Sequence, residues 1–312
     1  MSQANIEAFK RRVRAKNSDG TANRYASAIR RYVAWLDSEG LSIEDADRWD
    51  IENHLLELAE GEFAEGTIKI AKASIEKYYK ELHDTEGITE GISLSQWSNI
   101  KGTKKSKALG DDVHYLEPEQ IQQLVDNVPS PKLRNQLLIK LAFQTGLRRG
   151  ELTTIKLRDV NREERSIKIH ADKTHNNRTV YYQPSLDTSL SLWIDVERNA
   201  VLTADSSPYL FPTQKRENLL PKSYGKIVRI AAENAGIQEV LYEDNGGRPI
   251  RKITSHSLRH SFAVACLRNN MDVRTLQKLM GHENIETTER YLDIADEDIK
   301  QKARQFGPSL ES

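Results

Sequence analysis

The chain has 312 residues, of which 38% are hydrophobic and 29% charged, and its 46 basic residues balance 46 acidic ones. This length exceeds the usual range of one domain and predicts two. No run of about 18 apolar residues occurs and the N-terminus is charged throughout, which excludes a membrane span and an ordinary signal peptide. The single cysteine, Cys266, cannot form an internal disulfide, so we expect a cytoplasmic protein in a reducing compartment.

Four helices are predicted in the first 100 residues. Apolar positions recur at helical spacing over residues 4–16, 21–38, 50–58 and 65–82. Residues 1–35 contain eight Lys or Arg against Glu7 and Asp19, whereas residues 36–96 are strongly acidic. We therefore predict an N-terminal helical domain over residues 1–100, with a positive face on its first two helices.

A basic linker is predicted over residues 101–112. It contains glycine, serine and almost no apolar periodicity, and its four lysines are Lys101, Lys104, Lys105 and Lys107. Such a segment is either a solvated connector or a positively charged stretch of chain that lies along a phosphate backbone. The second interpretation becomes the better one if the rest of the chain binds a nucleic-acid duplex.

Residues 113–312 are predicted to form a mostly helical domain with a small antiparallel sheet. A helix begins after Glu117, and further helices are predicted over 133–144, 151–157, 186–201, 222–235, 256–269, 273–280 and 285–293. Residues 165–171 and 178–184 are rich in β-branched and aromatic residues and predict a hairpin, and residues 242–254 predict a second, short one. The fold class is thus mainly α with a small β-sheet (α+β).

The second domain contains basic side chains and a tyrosine at positions that suit phosphate chemistry. Arg148 lies at a predicted helix boundary, where its guanidinium can make two parallel bonds to phosphate oxygens. His256 and Arg259 are three residues apart on a predicted helix, so they share a face and can grip one phosphate. Tyr291 follows His282 by nine residues.

Each of these features also has an ordinary structural explanation when taken alone. An arginine in a turn is usually solvated, and an isolated tyrosine on a helix is usually a core residue. His256 and His260 form an i, i+4 pair that could suggest zinc, but no His-Glu-x-x-His pattern or nearby cysteine accompanies them. We therefore predict no metal site.

The order of the motifs is more specific than any one of them. TGLRRGEL at 145–152, the hairpin Lys173, HSLRH at 256–260, LMGH at 279–282 and Tyr291 resemble the tyrosine recombinases, the family of phage integrases and Xer-type resolvases. The resemblance covers about residues 113–295, and the N-terminal helices resemble the family's core-binding (SAM-like) domain by position and type. It implies a catalytic set of Arg148, Lys173, His256, Arg259, His282 and Tyr291, with Glu151 orienting its neighbours.

The resemblance also implies a reaction. Tyr291 attacks phosphorus and forms a covalent 3′-phosphotyrosine, the arginines and histidines stabilise the transition state, and Lys173 protonates the leaving 5′-hydroxyl. No cofactor is expected. The hairpin departs from the family's Gly-Lys-Gly-x-Lys-x-Arg pattern, so Lys168, inside the predicted strand, is the competing lysine.

The partner that the family implies is double-stranded DNA, not a membrane. We expect a homotetramer on DNA that exchanges its C-terminal tails, residues 296–312, with Ile299 and Phe306 as apolar anchors. A small integrase of a mobile element or a Xer-like resolvase fits best, since no arm-binding module precedes residue 4. The alternatives are a type IB topoisomerase-like enzyme that relaxes DNA, a non-catalytic DNA-binding protein, and a helical protein whose charges are only solvated surface.

Overall fold

A computed structural model of the chain describes residues 3–61, 63–94, 97, 113–170, 177–243 and 247–295. The chain divides into two compact units, Met1–Ser106 and Lys107–Ser312. Within the described ranges, no helix is both long enough and apolar enough to cross a membrane. The linker lysines, Lys173 and the tail from residue 296 lie outside the described residues.

The N-terminal unit is built from four helices. They are α1 (Gln3–Lys16), α2 (Asp19–Ser38), α3 (Arg48–Glu60) and α4 (Glu65–His83). Helix α2 packs against α1 and α4, and their apolar faces bury Phe9, Ile29 and Ile75 completely. Ser18 and Asp47 cap α2 and α3 by accepting hydrogen bonds from backbone N–H groups of the first turn, which is why the helices begin there.

Several bases of α1 and α2 are already paired with acids. Arg14 lies 2.6 Å from Asp19, and Arg30 lies 3.1 Å from Glu7. Exposed pairs of this kind contribute about 1 kcal/mol or less, so a bound phosphate can compete for these side chains. Glu7 and Asp19 are already counted in the charge balance of residues 1–35, but Lys16 also pairs with Glu81 on α4 at 3.0 Å, and this pair neutralises part of the positive surplus.

The second unit contains nine helices among its described residues. They are α5 (Pro118–Asp126), α6 (Lys132–Thr145), α7 (Arg149–Thr153), α8 (Asp187–Asp195), α9 (Pro221–Asn234), α10 (Ser255–Arg268), α11 (Val273–Met280), α12 (Glu286–Glu289) and α13 (Leu292–Ala295). Strands β1 (Val160–Asn161), β2 (Ser166–Ile169) and β3 (Arg178–Tyr181) form an antiparallel sheet in that order. Strands β4 (Val240–Glu243) and β5 (Pro249–Arg251) form the second hairpin.

Helix α10 is the centre of this unit. Residues 257–264 are all buried, and the helix packs against α6, α9, α11 and α13. A helix that is buried on every side lies within a core. Gly146 ends α6 in the left-handed conformation, with φ of 61°, and a Cβ there would overlap the ring of Phe262 on α10. Glycine thus allows the two helices to approach at this point.

Three predicted helices are wrong in extent. The helix predicted over 151–157 ends at Thr153, because the carbonyl of Ile155 and the N–H of Leu157 bond to the backbone of residues 208–210. The helix predicted over 186–201 ends at Asp195, since Val196 leaves the helical conformation and a 3₁₀ turn follows. The helix predicted over 285–293 is split into α12 and α13, and Tyr291 lies in the break.

Candidate active site

Three arginine side chains converge on the carboxyl end of α11. The last carbonyls of a helix have no partner within it and carry the negative end of its dipole. Here Arg178 Nε donates to the carbonyl of residue 279 over 2.7 Å, and Arg148 Nη2 donates to that of residue 281 over 2.8 Å. The carbonyl of Met280 accepts from both Arg148 Nη1 at 3.3 Å and Arg259 Nη2 at 2.7 Å. We call Arg148, Arg178 and Arg259 the arginine cluster.

The glycine of the LMGH motif makes this arrangement possible. Gly281 ends α11 with φ of 63°, which favours glycine. A Cβ at this position would lie 2.8 Å from Arg178 Nη1. Any other residue would therefore be strained and would displace Arg178 from the helix end.

Glu151 is the carboxylate that balances part of this positive charge. Its oxygens accept two bonds from Arg178, at 2.9 and 2.8 Å, and two from Arg148, at 2.8 Å from the backbone N–H and 3.2 Å from Nη1. Burial alone would raise the pKa of Glu151, but the bonds and charges of the two arginines outweigh it and lower the pKa. Two guanidinium groups thus bind one ionised carboxylate, and with Arg259 the cluster has a net positive charge.

Arg259 is held more rigidly than its neighbour Arg148. Its side chain is 2% exposed, and Nη1 donates to the carbonyl of Gly146 over 2.5 Å. Burial and the charge of Arg148 lower the pKa of Arg259 to about 9, so the guanidinium is charged at neutral pH. The Arg148 side chain is 42% exposed. A guanidinium has five N–H donors, and those not bonded to carbonyls can bind an anion.

The two predicted histidines lie beside the cluster. His256 is in the first turn of α10 and is solvent-accessible, but partial desolvation and the charge of Arg259 lower its pKa. His282 follows the end of α11, with Nδ1 2.8 Å from Thr288 Oγ1, and burial followed by the charge of Arg259 lowers its pKa to about 3. Both imidazoles are therefore neutral at pH 7.

Tyr291 lies in the break between α12 and α13, and its side chain is buried. It is 2% exposed, and its hydroxyl is 2.7 Å from Nδ1 of His260. Burial raises the pKa of Tyr291, an effect that the positive charges of Arg259 and Arg290 oppose. The phenol is therefore protonated at neutral pH.

The structure brings most of the predicted site residues together. Arg148, Glu151 and Arg259 are joined at the end of α11, and the ring of His260 links Tyr291 to His256, whose ring centroid lies 4.4 Å from that of His260. Lys173 and the four linker lysines lie outside the described residues. The competing Lys168 lies on β2, exposed.

Two residues of the site were not predicted as catalytic or supporting residues in the sequence analysis. Arg178 begins a strand, and nothing local indicates that the end of α11 will approach it. His260 was considered only as a metal ligand, and its contact with Tyr291 joins residues 31 positions apart. Among the residues described, no group of three or more His, Cys, Asp or Glu could hold a metal ion.

Fixed guanidinium groups beside neutral imidazoles and a buried phenol make a site suited to phosphoryl transfer onto tyrosine. The model of the phage integrase family matches residues 114–298 of this chain. The model of the phage integrase N-terminal SAM-like domain matches residues 6–88. The chain belongs to the phage integrase family.

Named relatives extend over most of the chain. Tyrosine recombinase XerD of Shewanella oneidensis is 26% identical over 93% of this chain and 91% of its own length. Tyrosine recombinase XerA of Pyrococcus furiosus is 28% identical over 75% of this chain and 72% of its own length.

Solved structures share the fold. The post-cleavage complex of XerH with a palindromic difH substrate has a TM-score of 0.71 and 20% identity over 98% of this chain and 85% of that one. A lambda integrase dimer bound to a core site has a TM-score of 0.62 and 17% identity over 100% of this chain and 98% of that one.

Proposed function

We propose that the protein is a site-specific DNA recombinase that cuts and rejoins strands through a covalent 3′-phosphotyrosine at Tyr291. The observation that carries this proposal is the convergence of Arg148 and Arg259 on the carbonyl of Met280, in the same unit that buries Tyr291. Membership of the phage integrase family supports the same reaction. The proposed substrate is double-stranded DNA, since a solved structure similar to this chain, the Tn1549 transposon integrase, is a complex with transposon right end DNA.

In the proposed reaction, Tyr291 Oη attacks phosphorus while the 5′-oxygen leaves. Negative charge grows on the nonbridging oxygens, and Arg148 and Arg259, with His256 and His282, stabilise it more in the transition state than in the ground state. The guanidiniums are already held by carbonyls, so little reorganisation is needed. The phosphotyrosine keeps the bond energy, and a second 5′-hydroxyl can reverse the step without a cofactor.

Lys173 is the proposed acid for the leaving 5′-oxygen. It would come from the hairpin between β2 and β3, and Arg178 at the start of β3 is bonded to Glu151 and to the end of α11. The first residue of β3 is thereby held beside the cluster. An acid in this position is usually worth about 10²–10⁴-fold in rate.

The remaining parts of the proposal concern organisation. We assign residues 1–100 to core binding, residues 101–112 to a linker whose lysines contact phosphates, and residues 113–312 to catalysis. The enzyme assembles on DNA as a homotetramer by tail exchange, and it acts in the cytoplasm, where its DNA substrate lies. Ending the chain after Asp296 should abolish assembly on a full DNA site, and unchanged assembly would contradict the exchange.

Covalent trapping tests the main proposal. Duplexes from a randomised pool are first selected for retention by the Tyr291→Phe protein, and the selected sequence is then synthesised with nicks that trap the cleaved strand. We expect the wild-type protein to form a protein–DNA adduct and Tyr291→Phe to form none. An adduct with Tyr291→Phe would contradict the assignment of the nucleophile. Arg259→Ala should lose cleavage more than binding.

The family match favours recombination over the two DNA-related alternatives. A topoisomerase-like enzyme would relax supercoiled plasmid that lacks the selected sequence, whereas we expect relaxation or recombination only when that sequence is present. A non-catalytic DNA-binding protein would form no adduct at all.

A further inference from the structure

His260 is the hydrogen-bond partner of the Tyr291 hydroxyl. The two side chains are 7% and 2% exposed, and their Nδ1 and Oη atoms are 2.7 Å apart. This distance lies within the range required of a general base and the proton that it removes. Of the other two histidines beside the cluster, His282 has its Nδ1 bonded to Thr288, and His256 lies against the ring of His260, with 4.4 Å between the ring centroids.

In the protein without DNA, the phenol of Tyr291 is protonated and the imidazole of His260 is neutral. Burial, followed by the charges around it, lowers the pKa of His260 to about 3, so its imidazole is neutral at pH 7. Burial raises the pKa of Tyr291, so the phenol keeps its proton. With the imidazole proton on Nε2, Nδ1 accepts the hydrogen bond from Oη. A protonated phenol is a weak nucleophile, and its proton must leave as it attacks.

We propose that His260 is the proton acceptor of the cleavage step, an inference that rests on the proposed function. As the bond between Tyr291 Oη and phosphorus forms, the phenolic proton moves to His260 Nδ1. The bond between phosphorus and the 5′-oxygen breaks, and that oxygen takes a proton from the acid, proposed above as Lys173. When a 5′-hydroxyl attacks the phosphotyrosine, its proton returns to the lysine, the bond between Tyr291 Oη and phosphorus breaks, and His260 gives its proton back to the leaving phenolate.

The charges around His260 explain how it can hold a proton only during the reaction. The titratable groups that face it are His256 and Arg259 on its own helix and Arg290, His114 and Tyr291 from other segments. Without DNA, these groups make the surroundings positive and oppose a second cation. A phosphodiester bound by the arginine cluster adds negative charge near the imidazole, and the growing charge on phosphorus adds more. Both sources of negative charge favour the protonated form of His260.

A substitution that separates hydrogen bonding from proton affinity tests the proposal. His260→Asn keeps an acceptor oxygen but cannot take a proton, and His260→Gln offers a second such variant if the first does not fold. With the selected nicked duplex, we expect adduct formation to slow by about 10²–10⁴-fold with unchanged DNA affinity. The rate of the variant should rise with pH between 7 and 9, whereas the wild-type rate stays level. Adduct formation by both variants at the wild-type rate would overturn the proposal.

A modified leaving group separates the base from the acid. A duplex with sulfur in place of the bridging 5′-oxygen needs no protonation of its leaving group. It should restore cleavage by Lys173→Ala but leave His260→Asn slow. Full recovery of His260→Asn on this duplex would assign His260 to the acid side and overturn the proposal. If the wild-type protein formed no adduct, the proposed function would fail as well, whereas a fast His260→Asn variant beside an active wild type contradicts only the role of His260.

Discussion

At the residue scale, Arg178 connects three parts of the site with one side chain. It donates to the carbonyl of Leu279, makes two bonds to Glu151, and lies against Gly281. Its side chain is 9% exposed and that of Glu151 is 12% exposed. A buried ion pair of this kind adds little net stability, but removing one partner leaves an uncompensated buried charge.

We expect Arg178→Ala to destabilise the catalytic unit by about 3 kcal/mol and to slow cleavage, because Glu151, which also holds Arg148, loses its second arginine partner. Denaturant unfolding and adduct formation measure the two effects. Arg229→Ala removes a partly exposed pair with Glu233 on α9 and is the control, with little change expected. Equal stability of the two variants would show that Arg178 is not structurally coupled to Glu151.

His54 in the N-terminal unit gives the protein sensitivity to acid. Both ring nitrogens are buried with no hydrogen-bond partner among the described residues, and burial and the charge of Arg31 lower its pKa to about 4. The unfolded chain binds a proton near pH 6.5 and the folded one does not until about pH 4. Its contribution to stability is therefore complete above pH 6.5 and is lost as the pH falls through this window.

When the pH is lowered from 7.5 to 5, we expect the free energy of unfolding of His54→Phe to fall by about 2 kcal/mol less than that of the wild type. Tryptophan fluorescence can follow the N-terminal unit, which contains Trp35, Trp49 and Trp97. His83→Phe, on α4 and partly exposed, is the control and should keep the wild-type sensitivity. An identical pH profile for His54→Phe would contradict the assignment.

At the scale of elements, the end of α6 packs directly against the middle of α10. The carbonyl of Gly146 accepts from Arg259, while the missing side chain of this glycine leaves room for Phe262. The conformation of one glycine thus sets the distance between the helix that precedes Arg148 and the helix that carries Arg259. The positions of both arginines depend on it.

Gly146→Ala should separate these helices and reduce both stability and cleavage. Gly236→Ala is a matched control, because Gly236 also has a positive φ, of 70°, but no atom of the residues that the structure describes lies within 4 Å of its Cβ position. We expect the control to lose about 1–2 kcal/mol from backbone strain alone, and Gly146→Ala to lose about 1–3 kcal/mol more from overpacking. Thermal unfolding measures the difference, and equal losses would mean that Phe262 moves aside freely.

At the scale of the whole molecule, a net charge of zero accompanies a strongly positive site. Glu151 offsets only part of the arginine cluster, and exposed acids pair with bases on α1 and α2. Affinity for DNA depends on the local phosphate contacts, each of which releases counterions, and not on the net charge. The dependence of DNA affinity on salt concentration therefore reports the number of phosphate contacts.

Replacing Lys101, Lys104, Lys105 and Lys107 by alanine should weaken DNA binding and reduce the slope of log K against log salt by about 0.9 for each lost phosphate contact. The charge-preserving variant with four arginines is the control and should keep the wild-type slope. Binding is measured by fluorescence anisotropy on the selected duplex between low and physiological salt. An unchanged slope for the alanine variant would identify these residues as a solvated connector.

Much of the fold follows from local patterns. The prediction of residues 273–280 agrees with α11 at both ends, and the four N-terminal helices lie within a few residues of their predicted limits. Errors occur where tertiary contacts compete with helical spacing. Backbone pairing with residues 208–210 ends α7 early, and the burial of Tyr291 accompanies the division of the last predicted helix.

The sequence by itself determined the mainly helical class and the family, because helical periodicity and the order of the motifs can be read without coordinates. Only the tertiary structure decided which groups meet. Arg178 reaches the end of α11 across 101 residues of chain, and His260 reaches Tyr291 across 31. Contacts of this kind depend on how helices and strands pack, and no spacing along the chain encodes a hydrogen bond between elements that folding brings together.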